Sequence, residues 1–79
     1  MEYYELYVRR IRQLCKRNDW SINTLATISG VKQSTLNNIM HGQTQGPRIM
    51  TLHKLAIAFS MTLSEFLDFD EIKDYSFDE

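Results

Sequence analysis

The chain is poor in residues that would tie it to several kinds of chemistry. A single cysteine stands among its 79 residues, which excludes a disulfide framework. Cys15, His41 and His53 are the only soft ligands, and they share no metal-ligand spacing. Neither a metal site nor a cofactor is expected. With one proline and three glycines the chain has few breaks. No segment alternates apolar and polar residues between hairpin turns, which argues against a β-sheet. Nothing approaches the roughly 20 apolar residues of a membrane span. The opening MEYYELYVRR has no apolar signal region. A cytoplasmic location without membrane contact is therefore expected. The sequence also lacks a Gly-rich phosphate loop, a nucleophile beside a base and a carboxylate pair in an apolar setting. It is not expected to be an enzyme, and no small-molecule ligand is evident.

Acidic residues are scarce over most of the length. Residues 1–67 hold eight Lys/Arg against four Asp/Glu, whereas residues 68–79 hold Lys73 against six acids. The net charge of −1 thus conceals a basic body and an acidic tail. A pI near 6.1 does not weigh against a nucleic-acid partner. At this length the chain is one domain, near the lower limit for a self-supporting core. Residues 1–68 are read as that domain and residues 69–79 as its acidic tail. Phe69, Ile72, Tyr75 and Phe77 are unusual in a purely solvated tail. Phe69, Ile72 and Tyr75 are expected to extend the fifth helix and to help form a dimer.

What is present is helical spacing, so the chain reads as all-α. Tyr4, Tyr7/Val8, Ile11 and Leu14/Cys15 recur at three and four and predict a first helix over 3–17. Its basic residues, Arg9, Arg10, Arg12, Lys16 and Arg17, fall mainly on the other faces. Ser21 suits the N-cap of a second helix over 22–29, with Trp20 and Leu25 as a hydrophobic staple. Trp20 is accordingly read as a packing residue. A third helix is expected over 32–41, stopped by Gly42. The loop QTQGPR follows. Thr51 is expected to cap a fourth helix over 52–59. Thr62 and Glu65 form a capping box that opens a fifth, with Met61 and Phe66 as its staple.

The stretch LATISGVKQSTLNNI joins the second and third of these helices. Two short helices linked by a Gly-containing turn of three to four residues are a helix-turn-helix. Ala26 supplies the small side chain where the helices approach, Gly30 the positive φ, and Val31 plugs the turn. Leu25, Leu36, Ile39 and Met40 point inward. Helical spacing then turns Ser34, Asn37, Asn38 and His41 outward, with Gln33 exposed at the helix start. That face has no acidic residue. Its amide and hydroxyl tips suit base edges in the major groove, where Asn and Gln bond bidentately to adenine.

Residues 9–67 resemble the Cro/lambda-repressor-like helix-turn-helix family, also called the XRE family. The pattern runs from Ile11-Arg12-Gln13-Leu14 through Leu25-Ala26, Gly30-Val31 and Gln33-Ser34-Thr35-Leu36. It continues through Ile39, Gly42, Pro47, Leu52, Leu55-Ala56 and Thr62-Leu63. The resemblance implies a compact five-helix lambda-repressor-like domain with its helix-turn-helix at helices 2 and 3. It implies a sequence-specific transcriptional regulator, a repressor, acting as a homodimer on palindromic double-stranded DNA. By matching position, Gln33, Ser34 and Asn38 are the principal base readers and Asn37 adds to them. Ser21, Asn23, Lys32, Thr35, His41, Gln43, Thr44 and Arg48 fall at backbone-gripping or flanking positions. A protein-interaction module of antitoxin or anti-repressor type is the alternative use of the same fold, and the acidic tail is the feature that favours it.

The sequence departs from the family in three places. Ile22 opens the second helix, where a polar residue is usual. The loop GQTQG is neutral until Arg48. Cys15 and Met40 stand where many members carry an Arg–Glu pair, so both charges are absent together and neither is stranded. Direct Cys15–Met40 contact, within about 6 Å, is expected from that exchange. Fewer phosphate contacts imply weaker binding by one copy with a shallower salt dependence, for which two-fold pairing on half-sites roughly 34 Å apart would compensate.

Overall fold

Two glutamates start the first helix. The Glu2 N–H, a donor that a helix start leaves without a partner, donates to Glu5 Oε1 at 2.7 Å. From there α1 runs Tyr3–Asn18 and ends on Asp19 in the left-handed region, at φ 56°. The computed structural model describes residues 1–78; Glu79, the last acid of the tail, lies outside the described residues. After α1 come α2 (Ile22–Ser29), α3 (Gln33–Met40), α4 (Ile49–Ala58), α5 (Leu63–Phe66) and α6 (Asp70–Lys73). The described residues include no strand.

Local chemistry sets most of these boundaries. Ser21 Oγ accepts from the Thr24 N–H at 3.1 Å and caps α2. The Thr62–Glu65 capping box closes in both directions, at 3.0 and 2.8 Å, and opens α5. The backbone bond from Thr62 holds the exposed Glu65 carboxyl below its usual pKa. The fourth helix differs from expectation. It begins at Ile49 with Arg48 as its backbone N-cap, and Thr51 lies inside its first turn. Ile49 and Met50 are exposed, so they add nothing to the core-facing period from which a helix start is read.

α1 packs on α3, α2 packs on α3 and α4, and α4 packs on α5. Leu6, Ile11, Leu14, Leu25, Leu36, Ile39, Leu52, Leu55 and Phe66 are fully buried where they meet. Burial of each stabilises the fold by about 1.5–3 kcal/mol before entropy is counted. Cys15 and Met40 are both buried in this cluster. Trp20 stacks on Phe59 with centroids 5.4 Å apart, and Phe59 stacks on Phe66 at 6.5 Å. This aromatic column ties the entry of α2 to α4 and α5, and it gives Trp20 its packing role.

The inward face of α1 is rotated from the expected stripe. Leu6 and Arg10 are buried, whereas Tyr4 and Val8 are only half-buried. Arg10 was expected among the solvated basic residues; it is 8% exposed. Its Nε donates to the Phe66 carbonyl at 2.9 Å and its Nη2 to the Glu65 carbonyl at 2.9 Å. Its Nη1 donates to Gln13 Oε1 at 3.0 Å. The Phe69 ring lies 5.2 Å from the guanidinium carbon. Burial and the nearby Arg17 push its pKa down, with Asp68 and Glu71 opposing. Arginine keeps its charge despite such a shift.

The tail does not extend α5. That helix stops at Phe66 with Leu67 as its C-cap, and Phe69 is extended, at φ −142° and ψ 151°. The break lets Phe69 turn under Arg10, where it is buried. Phe69 is thus used within the chain and is not free to join a dimer. Beyond α6, Tyr75 and Phe77 fold back onto the Tyr3 ring, with centroids 5.4 and 5.3 Å away. The Tyr75 hydroxyl reaches the Met1 carbonyl at 3.5 Å. The Tyr3 and Tyr7 hydroxyls hydrogen-bond. Burial, with that bond, pushes the Tyr7 pKa well up. Lys73 pairs with Asp68 at 2.6 Å, which raises the pKa of the lysine and lowers that of the carboxyl.

Arg10→Ala is expected to lower the unfolding free energy by about 2–4 kcal/mol, because two carbonyls lose their donor and a space opens above Phe69. Urea unfolding followed by Trp20 fluorescence measures it. Arg10→Lys, with a compact ammonium in place of the fork, is expected to recover only part of the loss.

Candidate nucleic-acid interface

The interface is built on the turn between α2 and α3. Gly30 caps α2 in the left-handed region, at φ 74°, and its N–H donates to the Ala26 carbonyl at 3.0 Å. A Cβ on Gly30 would meet nothing within 4 Å, so the backbone angle alone asks for glycine there. Val31 is buried, and its N–H donates to Ser29 Oγ at 3.2 Å. Leu36, Ile39 and Met40 anchor α3 on the core. The lever between the two helices is therefore fixed at both ends.

The far end of α3 is held as firmly. The Asn38 carbonyl accepts from the Gln43 N–H at 2.9 Å and the Thr44 N–H at 3.1 Å. Gln45 Nε2 donates to the Gly42 carbonyl at 2.6 Å. Gly42 adopts φ 77°, and a Cβ there would stand 2.6 Å from the Tyr4 ring. Here the angle again asks for glycine, and an added Cβ would also force the half-buried Tyr4 ring to shift.

Gln33, Ser34, Asn38 and His41 are exposed along the outer face of α3; Thr35 and Asn37 are half-buried. Gln33 Nε2 donates to Asn23 Oδ1, which links the start of α3 to α2. That bond leaves the Gln33 carbonyl oxygen and one N–H for another partner. Thr35, Asn38, Thr44 and Arg48 come together in an open cleft of about 360 Å³ beside α3. Ile39, Pro47 and Thr51 complete its wall. Thr51 was expected only as a cap; with α4 starting earlier, its side chain falls at the cleft. Ser21 is exposed, and its hydroxyl is engaged with the Thr24 N–H and Oγ1. Lys32 is the N-cap of α3 without a side-chain cap bond. Lys32, His41, Gln43 and Arg48 are exposed.

Little else in the described residues offers chemistry. No three His, Cys, Asp or Glu side chains among them could share a metal. No helix among them is long and apolar enough to cross a membrane. Cys15 is buried and unpaired, and burial pushes its thiol pKa up, away from the reactive thiolate.

Comparison with known proteins places this geometry. The Cro/C1-type HTH DNA-binding domain family matches residues 10–71. The HTH-type transcriptional regulator SlrR of Bacillus subtilis (strain 168) is 38% identical over 60 residues, covering 76% of this chain. The match spans 40% of that relative's length. The crystal structure of the prophage Lp1 protein 11 superposes with a TM-score of 0.80 at 26% identity, covering 91% of this chain and 95% of that one.

Gly30→Ala is expected to cost about 1–2 kcal/mol of stability, from the backbone angle alone. Gly42→Ala is expected to cost roughly 2–4 kcal/mol, because overpacking against Tyr4 is added. Thermal unfolding of the two variants side by side checks the order.

Proposed function

The chain belongs to the Cro/C1-type HTH DNA-binding domain family, and from that premise we propose that it is a sequence-specific transcriptional regulator reading the major groove with α3. The observation that carries the proposal is the outer face of α3. It presents Gln33, Ser34 and Asn38 to solvent, free of acids, on a helix clamped at both ends. In this reading Gln33 and Asn38 bond adenine edges, Ser34 meets a neighbouring base, and Asn37 reaches from its half-buried place. Asn23 acts through Gln33, whose amide it holds. Lys32 and Arg48 neutralise phosphates. Ser21, Thr35, His41, Gln43 and Thr44 add neutral backbone or flanking contacts.

The thin supply of cations supports pairing. Two neutralised phosphates per copy give a salt slope of about −2, and about −4 for a pair. Two copies on a palindrome bind jointly, which recovers affinity without further cations. Repression is the simplest outcome for a chain that reads an operator, since occupancy alone blocks other proteins.

Selection of bound duplexes from a random pool is expected to enrich a palindromic motif. An unenriched pool would overturn the reading. Replacing Gln33 and Asn38 together by Ala is expected to weaken binding to the selected site by roughly 100-fold, with thermal unfolding unchanged. Binding to random duplex should barely move.

A further inference from the structure

The exposed face of α4 is unlike that of an ordinary surface helix. At helical spacing, Ile49, Met50, His53, Lys54 and Ile57 fall on one continuous arc, and all five are exposed. Ile49 is 62% exposed, Met50 69% and Ile57 63%. The opposite side, Leu52, Leu55 and Ala56, is buried in the core. A helix that is apolar on both sides has a partner on the second. The α4 arc also carries a cation, Lys54, and no acid.

The same chain carries a surface of matching chemistry. Where its two ends meet, Tyr3, Tyr75 and Phe77 pack ring against ring, and Phe77 remains 74% exposed. Met1 beside them is 58% exposed. The acids around this apolar platform, Glu2, Asp74 and Asp78, are all exposed and outnumber the Met1 ammonium beside them. One surface is aliphatic and basic, the other aromatic and acidic. Contact between two α4 arcs would set Lys54 against its own copy, whereas contact of arc with platform pairs opposite charges.

We infer that the α4 arc is an interface for a second copy of this chain, and that what it receives is the acidic aromatic platform formed by the chain ends. The inference rests on the pairing proposed above and deepens it by naming the two faces. In a closed pair each copy gives its arc and takes its partner's platform, so the contact is made twice. The tail then acts in assembly through Tyr75 and Phe77, not through the buried Phe69.

Sedimentation of the full chain without DNA tests this. The chain is expected to form dimers whose dissociation constant rises with salt. Ile57→Ser and Lys54→Glu, both at exposed positions, should each raise that constant roughly tenfold or more, as should Asp74→Lys with Asp78→Lys. The decisive sample is a mixture. Neither the Lys54→Glu chain nor the doubly substituted tail chain should pair well alone, but together each contact again joins opposite charges and association returns. A chain that stays monomeric at low salt overturns the inference. So does a mixture that fails to associate, or dimerisation that the tail substitutions leave unchanged. The DNA-reading proposal is judged separately, since enrichment of a palindrome or its failure is read on DNA.

Discussion

The guanidinium of Arg10 holds together parts of the molecule that could not stand alone. α5 and α6 have four residues each, far below the length at which a helix persists in water. α5 is stabilised at its start by the Thr62–Glu65 box and at its end by Arg10, which donates to two of its last carbonyls. Those carbonyls are among the acceptors that every helix end leaves over. By binding them from α1, a residue 55 positions earlier in the chain closes the domain. The same charge draws Phe69 beneath it, and that placement starts the tail on its return to Tyr3. Burying a cation is unfavourable unless its donors are used. Three of its nitrogens have partners, so the position is sustained.

What the sequence could reveal follows from how local each signal is. The caps at Ser21 and Thr62, the left-handed glycines at 30 and 42, and the inward set Leu25, Leu36 and Ile39 each concern neighbours within a few residues. All stand in the structure as the spacing predicts. Arg10 does not, because its partners lie in the last quarter of the chain and nothing near it announces them. A trace was there all the same. Arg10 sits four residues after Leu6 and four before Leu14, on the buried stripe itself. Arginine is rarely buried, so residue type points it to solvent while position points it inward. The start of α4 escaped for the opposite reason. Ile49 and Met50 are apolar but face outward, so they blur the period instead of extending it. The outer face of α3 was legible as a set of side chains. The Asn23–Gln33 bond and the cleft of Thr35, Asn38, Thr44 and Arg48 were not, since they depend on how α2 and α4 are set against α3.

The path of the tail bears on how the basic body is used. A loose acidic segment would be free to lie over any cationic surface within reach. This one is fixed by Phe69 under Arg10, by Lys73 on Asp68 and by Tyr75 and Phe77 on Tyr3. Two of its acids, Asp74 and Asp78, are thereby placed beside the rings that pack on Tyr3, while Asp68 and Glu71 stay near Arg10. Tyr4, on the same helical turn, touches Gly42 just past α3. The tail therefore adds negative charge near one end of α3 without covering the exposed Gln33, Ser34 and Asn38.

That arrangement separates two quantities that are often confused. Phosphate contacts raise affinity for every DNA sequence alike, whereas base contacts alone distinguish one sequence from another. On the proposed reading, the chain supplies amide and hydroxyl groups generously and cations sparingly, with acids held nearby. The sequence-independent part of binding falls, and the discrimination made by Gln33 and Asn38 does not fall with it. Occupancy must then come from elsewhere. Joining two copies of α3 would supply it, because the second copy would bind at the effective concentration set by the first. A face for that partner need not come from the reading surface itself. The exposed arc of α4 belongs to the helix whose Thr51, with its N-cap Arg48, lines the cleft beside α3. A second copy held there would be positioned by the same helix whose start flanks the DNA, so pairing and reading would be set by one rigid element.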